Sequence, residues 1–213
     1  MMVSEMEQVK TGTTTVGMIC KDCVVLAADK RATAGNLIVD KKVQKVQPVN
    51  EFMAVTTAGS VSDLQLLVKY LRAELKLREI RTGRKSTVKE AANLLSGMIY
   101  GNIRSFSAIP GITHFLLGGF DKAQCLYDLY PDGSLTEIDD FVSSGSGSVM
   151  AYGVLETLFK KDMTEQEGLA LAQRCINAAM QRDSASGNGI DFFVIDASGV
   201  RKVETKLVDT RVQ

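Results

Sequence analysis

Two apolar stripes of helical spacing stand side by side in the chain, with no strand between them. Leu64, Leu67, Val68, Leu71 and Leu75 recur at three- and four-residue steps, and Val88, Ala91, Ala92, Leu95 and Ile99 do the same after a short polar stretch. Each stripe is one face of an amphipathic helix. Ser60, with Asp63 three residues on, opens the first as a capping-box variant, and Thr82-Gly83 closes it. Ser86 or Thr87 opens the second, with Glu90 at N3 after Thr87. Helices joined so tightly pack antiparallel. A second pair follows later: one helix from near Gly147 to Lys160, and one capped by Thr164 with Glu167 at N3. The last should turn Leu169, Ala172, Ile176, Ala179 and Met180 inward.

Strand-like runs fill the rest. Residues 13–20 and 23–29 form a hairpin around Lys21-Asp22, and a turn near Ala34-Gly35-Asn36 leads to shorter strands at 41–47 and 52–58. Four more runs cover 113–119, 124–130, 134–138 and 140–144, with Pro131-Asp132-Gly133 as a strong turn. Residues 190–196 and 200–205 close the chain around Ala197-Ser198-Gly199. Helices in pairs, rather than alternating singly with strands, argue against a doubly wound parallel sheet. The order fits an α+β protein: a four-layer α-β-β-α sandwich of two antiparallel sheets. With 213 residues the chain can bury the core this needs.

Charge excludes some functions. Lys plus Arg and Asp plus Glu number 25 each, so there is no electrostatic footprint for nucleic acid or an anionic membrane. No apolar run reaches membrane-spanning length. Residues 1–12 hold Glu5, Glu7 and Lys10 and no apolar run of signal-peptide type, so a cytoplasmic location is expected. Cys20-x-x-Cys23 invites a metal or redox reading. However, no second Cys/His pair exists, and residues three apart in a strand point to opposite faces. No metal site is expected. The one histidine, His114, sits in a core-like strand, ITHFLLGGF, and reads as a hydrogen-bonded structural residue rather than a catalytic base.

The chemistry gathers elsewhere. Gly12-Thr13 opens the first strand. If that bond were cut, Thr13 would carry a hydroxyl and a free α-amine of pKa near ~8, nucleophile and base on one residue. Asp29 follows at the end of an apolar run, then Lys45 in VQKVQ. Gly59 lies in TTAGS, between a strand and a helix N-terminus, where free N–H groups can face an oxyanion. Farther on come Gly145-Ser146-Gly147 and Arg182-Asp183-Ser184-Ala185-Ser186-Gly187. A lysine beside the hydroxyl would favour its ionised form, with the aspartate holding that lysine charged. By spacing alone, Asp29 and Lys45 would be an ordinary surface ion pair. The serine-glycine run would be a linker, and the 182–187 segment a polar loop ending a helix.

These separated motifs, spanning Thr13 to about Thr205, closely resemble the β subunit of the 20S proteasome of the archaeal type. The resemblance implies an N-terminal nucleophile hydrolase fold and a threonine endopeptidase. Residues 1–12 would be a propeptide removed by cleavage between Gly12 and Thr13, and residues 13–213 one catalytic domain. Thr13, Asp29 and Lys45 would occupy the catalytic positions, and Gly59 would donate to the oxyanion. Ser146, Asp183 and Ser186 would orient the freed amine, with Arg31 supporting Asp29 or the local backbone. Ala32, Val43, Gln47, Thr57, Val61 and Gln65 would line the substrate pocket, which suits a neutral, mainly apolar side chain. No metal or organic cofactor is implied. The implied partners are proteasome α subunits, other β subunits in seven-membered rings stacked as α7β7β7α7, a regulatory ATPase ring docked on the α ring, and unfolded protein substrates.

Three other readings stay open on the sequence. The bacterial two-ring relative shares the threonine, lysine and fold, but its pattern fits RDSASG and the C-terminal strands less well. An inactive ring subunit would usually lack the nucleophile or the lysine. A Cys-x-x-Cys module would hold a metal or a redox pair.

Overall fold

The computed structural model describes residues 12–107 and 111–207. Most of the expected propeptide, residues 1–11, lies outside them. In chain order the elements are β1 (Thr15–Ile19), β2 (Val24–Asp29), β3 (Ala32–Ala34), β4 (Leu37–Asp40), β5 (Val46–Asn50) and β6 (Met53–Gly59). Helices α1 (Val61–Thr82) and α2 (Val88–Arg104) follow, then β7 (Thr113–Phe120), β8 (Gln124–Leu129), β9 (Leu135–Ile138) and β10 (Phe141–Ser144). The chain continues with α3 (Ser148–Leu158), α4 (Glu165–Met180), β11 (Gly189–Asp196) and β12 (Gly199–Leu207).

Two five-stranded sheets form, ordered β10-β1-β2-β11-β12 and β5-β6-β7-β8-β9, with every pairing antiparallel. Helices α1 and α2 cover one sheet and α3 and α4 the other, giving the four layers expected. Strand β2 shows why its sequence is a continuous apolar run rather than an alternation: its sheet is covered on both faces. Val24, Leu26 and Ala28 face the space between the sheets, where they meet Ala54, Leu116, Leu126 and Phe193. Val25 and Ala27 face the other way, toward Leu171, Ala172 and Ile176 of α4.

Local signals define the helix ends. Thr87 and Thr164 each accept from the N3 backbone while Glu90 and Glu167 reach back, two complete capping boxes. Gly83 takes the left-handed conformation that ends α1 and donates to the Glu79 carbonyl. Ser60 does occupy the N-cap position of α1, but its hydroxyl bonds the Asp63 carboxylate instead of a backbone N–H.

Three expectations need correction. Residues 41–45 are not a strand; a separate hairpin, β3–β4, turns at Gly35-Asn36 and stands clear of both sheets. In α4 the fully buried positions include Leu171 and Cys175, while Leu169 and Met180 are only partly covered. Cys20 and Cys23 lie beyond the ends of β1 and β2, flanking the turn, and both enter the same core between sheet and helices. The opposite-face rule holds inside a strand and lapses across a turn.

Candidate active site

The site forms where the start of β1 meets the ends of β2 and β10 and the loop after α4. Thr13, one of the last residues before β1, is 4% exposed. Its hydroxyl donates to the Gly12 carbonyl at 2.6 Å. Its amide donates to Ser146 Oγ at 3.2 Å, and its carbonyl accepts from the Gly147 amide at 3.3 Å. Gly145, at φ +91°, makes this approach possible: a Cβ there would lie 2.1 Å from the Thr13 carbonyl oxygen.

Asp29, at the end of β2, is fully buried and accepts four hydrogen bonds. Oδ1 receives Lys45 Nζ at 2.7 Å and the Thr14 amide at 2.9 Å; Oδ2 receives the Arg31 amide at 2.9 Å and the Gly187 amide at 3.0 Å. Lys45, 5% exposed, also reaches the Gly12 carbonyl oxygen, at 3.4 Å. Its own carbonyl is held by the amide and hydroxyl of Thr57, at 2.8 and 3.1 Å. Burial pulls the ammonium pKa below its usual value, and Asp29 opposes that pull without cancelling it. The pair is therefore not a solvated surface bridge, and the aspartate moderates a depression instead of producing a net rise.

A second chain of contacts runs from Asp183. Its Oδ2 accepts from Ser146 Oγ and from Ser186 Oγ, each at 2.6 Å, and Ser186 Oγ lies 2.7 Å from Thr14 Oγ1. The backbone nitrogen of Thr13 is thus linked through one serine to a carboxylate. Arg31 holds the loop that carries these residues, with Nε on Asn188 Oδ1 at 2.8 Å and Nη1 on the Ser184 carbonyl at 2.7 Å. Gly187 fits against that guanidinium, where a Cβ would fall 2.4 Å from Nη2. Of the two supports expected for Arg31, its amide serves Asp29 and its side chain serves the loop. Sequence reasoning gave no role to Thr14 or Asn188, and named Gly145 only as part of its motif. Their signals were present in the TGTTT run, the first glycine of the serine-glycine run and the asparagine after RDSASG.

Gly59 is not part of this hydrogen-bond network among the described residues. It ends β6 at φ +123°, opposite Thr113, and a Cβ would lie 2.2 Å from the Ile112 carbonyl oxygen. Only glycine fits there. Of the expected pocket residues, Thr57 is buried beside Lys45, and Val43 donates its amide to the Lys30 carbonyl at 3.1 Å. Ala32 begins β3, and the Gln47 carboxamide accepts from Arg72 of α1 at 3.4 Å. Val61 and Gln65 lie exposed on the first turns of α1. His114 bonds the buried Asp128 at 2.6 Å and stacks on Tyr130 at 5.0 Å, a pairing within sheet and turn. Among the described residues, no group of three or more His, Cys, Asp or Glu side chains is arranged to hold a metal ion. No helix among them is long and apolar enough to cross a membrane.

The chain is similar to known proteins over most of its length. The family model described as Proteasome, proteasome subunit, matches residues 9–195. "Proteasome subunit beta" of Methanocaldococcus fervens is 43% identical over 203 residues, 94% of this chain and 89% of that one. The protein of the same name from Methanococcus maripaludis is 45% identical over 192 residues, covering 89% and 86%. That of Methanocaldococcus jannaschii is 43% identical over 203 residues, covering 94% and 89%.

Proposed function

The chain belongs to the proteasome subunit family, and we infer that it is a catalytic β subunit of a 20S core, a threonine endopeptidase. The observation that carries the mechanism is the convergence on the Gly12 carbonyl oxygen. It receives the Thr13 hydroxyl at 2.6 Å and Lys45 Nζ at 3.4 Å. That geometry suits self-cleavage. The Thr13 oxygen forms a bond to the Gly12 carbonyl carbon, the C–N bond breaks, and the hydroxyl proton passes to the nitrogen. Water then hydrolyses the ester and frees the Thr13 amine. Lys45 stabilises the oxyanion formed on the way.

After cleavage the same residues would act on substrate. Thr13 attacks the scissile carbonyl, the Gly59 N–H faces the oxyanion, and an acyl-enzyme ester forms. The freed amine, held by Ser146 and oriented through Asp183 and Ser186, delivers water to that ester. Asp29 acts on Lys45 by position and charge. Ala32, Val43, Gln47, Thr57, Val61 and Gln65 would receive a neutral, mainly apolar side chain before the cut. The reading calls for no metal or organic cofactor.

As a family member the chain assembles with other proteasome subunits. The finer arrangement proposed is α7β7β7α7, in the cytoplasm, with a regulatory ATPase ring on the α ring feeding unfolded protein. One surface supports packing against a helix of another subunit. Leu66, Tyr70, Ala73, Leu77 and Ile80 are exposed on α1 at alternating four- and three-residue steps, the spacing of a helix–helix seam. The first test is the N-terminal residue of the assembled protein. Thr13 is expected; an assembled, active complex that still begins at Met1 overturns the reading.

A further inference from the structure

Cys20 and Cys23 play no part in the proposed peptidase, yet their placement is specific. They close the β1–β2 hairpin, with Lys21 and Asp22 as its exposed turn, and the Cys20 amide donates to the Cys23 carbonyl at 2.8 Å. Residues paired in this way across antiparallel strands have Cα atoms about 5.5 Å apart, inside the range a disulfide spans. Both side chains lie in the core between the sheet and α3 and α4, 1% and 3% exposed, and both are free thiols. Gly168 of α4 leaves the room: a Cβ there would fall 2.5 Å from Cys20 Sγ. Cys175 lies seven residues farther along α4, about 10 Å at helical rise, beyond bonding reach from that position.

We propose that Cys20 and Cys23 are a redox modification site, converted by a low-molecular-weight disulfide into a reversible clamp across the closed end of the hairpin. One of the two, as thiolate, attacks the oxidant. It displaces one small thiolate from the oxidant and forms a mixed disulfide. The other thiol then loses its proton to solvent and attacks the sulfur of the mixed disulfide on its neighbour, expelling the second small thiolate. Two protein thiols are oxidised by two electrons, and one small disulfide is reduced to two thiols. The clamp fixes the end of β1 opposite the one that carries Thr13, with five residue pairs between them, Thr15 with Ala28 through Ile19 with Val24.

Lys21 lies inside the closed loop, which gives a direct test. Full-length protein is treated with oxidised glutathione, its remaining thiols are alkylated under denaturing conditions, and it is digested after lysine. The expected product is the peptide ending at Lys21 joined to residues 22–30, separating on reduction. Alkylation of both cysteines, or linkage of either to Cys125 or Cys175, overturns the proposal. In Cys20→Ala or Cys23→Ala the reaction should stop with glutathione on the remaining cysteine, whereas a remaining cysteine left unmodified in both folded variants contradicts the mixed-disulfide step. If the variants do not fold, the wild-type peptide map still decides. The oxidised protein should melt a few degrees above the reduced one, and equal or lower melting shows that the bond is no clamp.

Discussion

Lys45 Nζ lies 2.7 Å from Asp29 Oδ1, in a setting where the lysine is 5% exposed and the aspartate fully buried. Burial lowers the lysine pKa, and Asp29 is the first influence holding it up. If the charged ammonium is the working form, kcat/KM falls as pH rises through that pKa. The alkaline limb should therefore lie below the ordinary lysine value of 10.5. Asp29→Asn removes the opposing charge and should move the limb to lower pH by about one pH unit or more. A limb unmoved in that variant separates Asp29 from the titration. In the unfolded chain Lys45 regains its ordinary pKa, so the unfolded state binds more protons between the two values. Stability should rise with pH across that window.

Lys45→Ala should reduce peptidase activity and self-processing at least about a hundredfold, the scale of losing one stabilising donor. Folding should survive, because Asp29 keeps the amides of Thr14, Arg31 and Gly187. Lys45→Arg should also be poor, since a planar fork cannot replace a compact ammonium in this space. Turnover of a fluorogenic peptide and circular dichroism together check this, and near-normal turnover removes Lys45 from the mechanism.

Thr13→Ala should leave residues 1–12 attached in the assembled complex, read by intact mass. Gly12→Val should slow processing even with the nucleophile present, because a Cβ on Gly12 would overlap that of Ala185 at 1.7 Å. Prompt loss of residues 1–12 in Thr13→Ala would point to another protease.

The protein alone should be a weak or inactive peptidase that retains residues 1–12. Mixed with its α partner it should form a particle of several hundred kilodaltons, process itself and become active. Leu77→Glu, on the exposed stripe of α1, should weaken that assembly without lowering the melting temperature of the isolated chain, because its side chain is not in the core. Size-exclusion chromatography with a peptide assay checks both. Full activity in a monomer fraction contradicts the compartment reading.

Thr87→Ala should cost about 1 kcal/mol of stability with no change in peptidase specificity, since it removes one half of a capping box far from Thr13 in sequence. Denaturant unfolding at constant m-value measures this.

Much of the architecture was legible in the sequence because it rests on short-range rules. The Thr87–Glu90 and Thr164–Glu167 boxes join residues three apart, and the buried stripe of α1 repeats every three to four. These local rules set where elements begin, what type they are and in what order they come, and the order of paired helices leads to two covered antiparallel sheets. The motif residues were visible too, as types at separated positions.

Tertiary structure decided what those residues became. The Thr13 amide meets Ser146 across 133 residues, and Thr14 meets Ser186 across 172. Only packing shows that Asp29 and Lys45 are desolvated, which turns an ordinary ion pair into a buried one and lowers the lysine pKa. Packing likewise placed Cys20 and Cys23 on one side of a turn, detached β3–β4 from the sheets and left Leu66, Tyr70, Leu77 and Ile80 of α1 exposed. Periodicity determines which side chains share a face. It carries no information about which face another part of the chain comes to cover, and burial, which sets electrostatics and reactivity alike, depends on that cover.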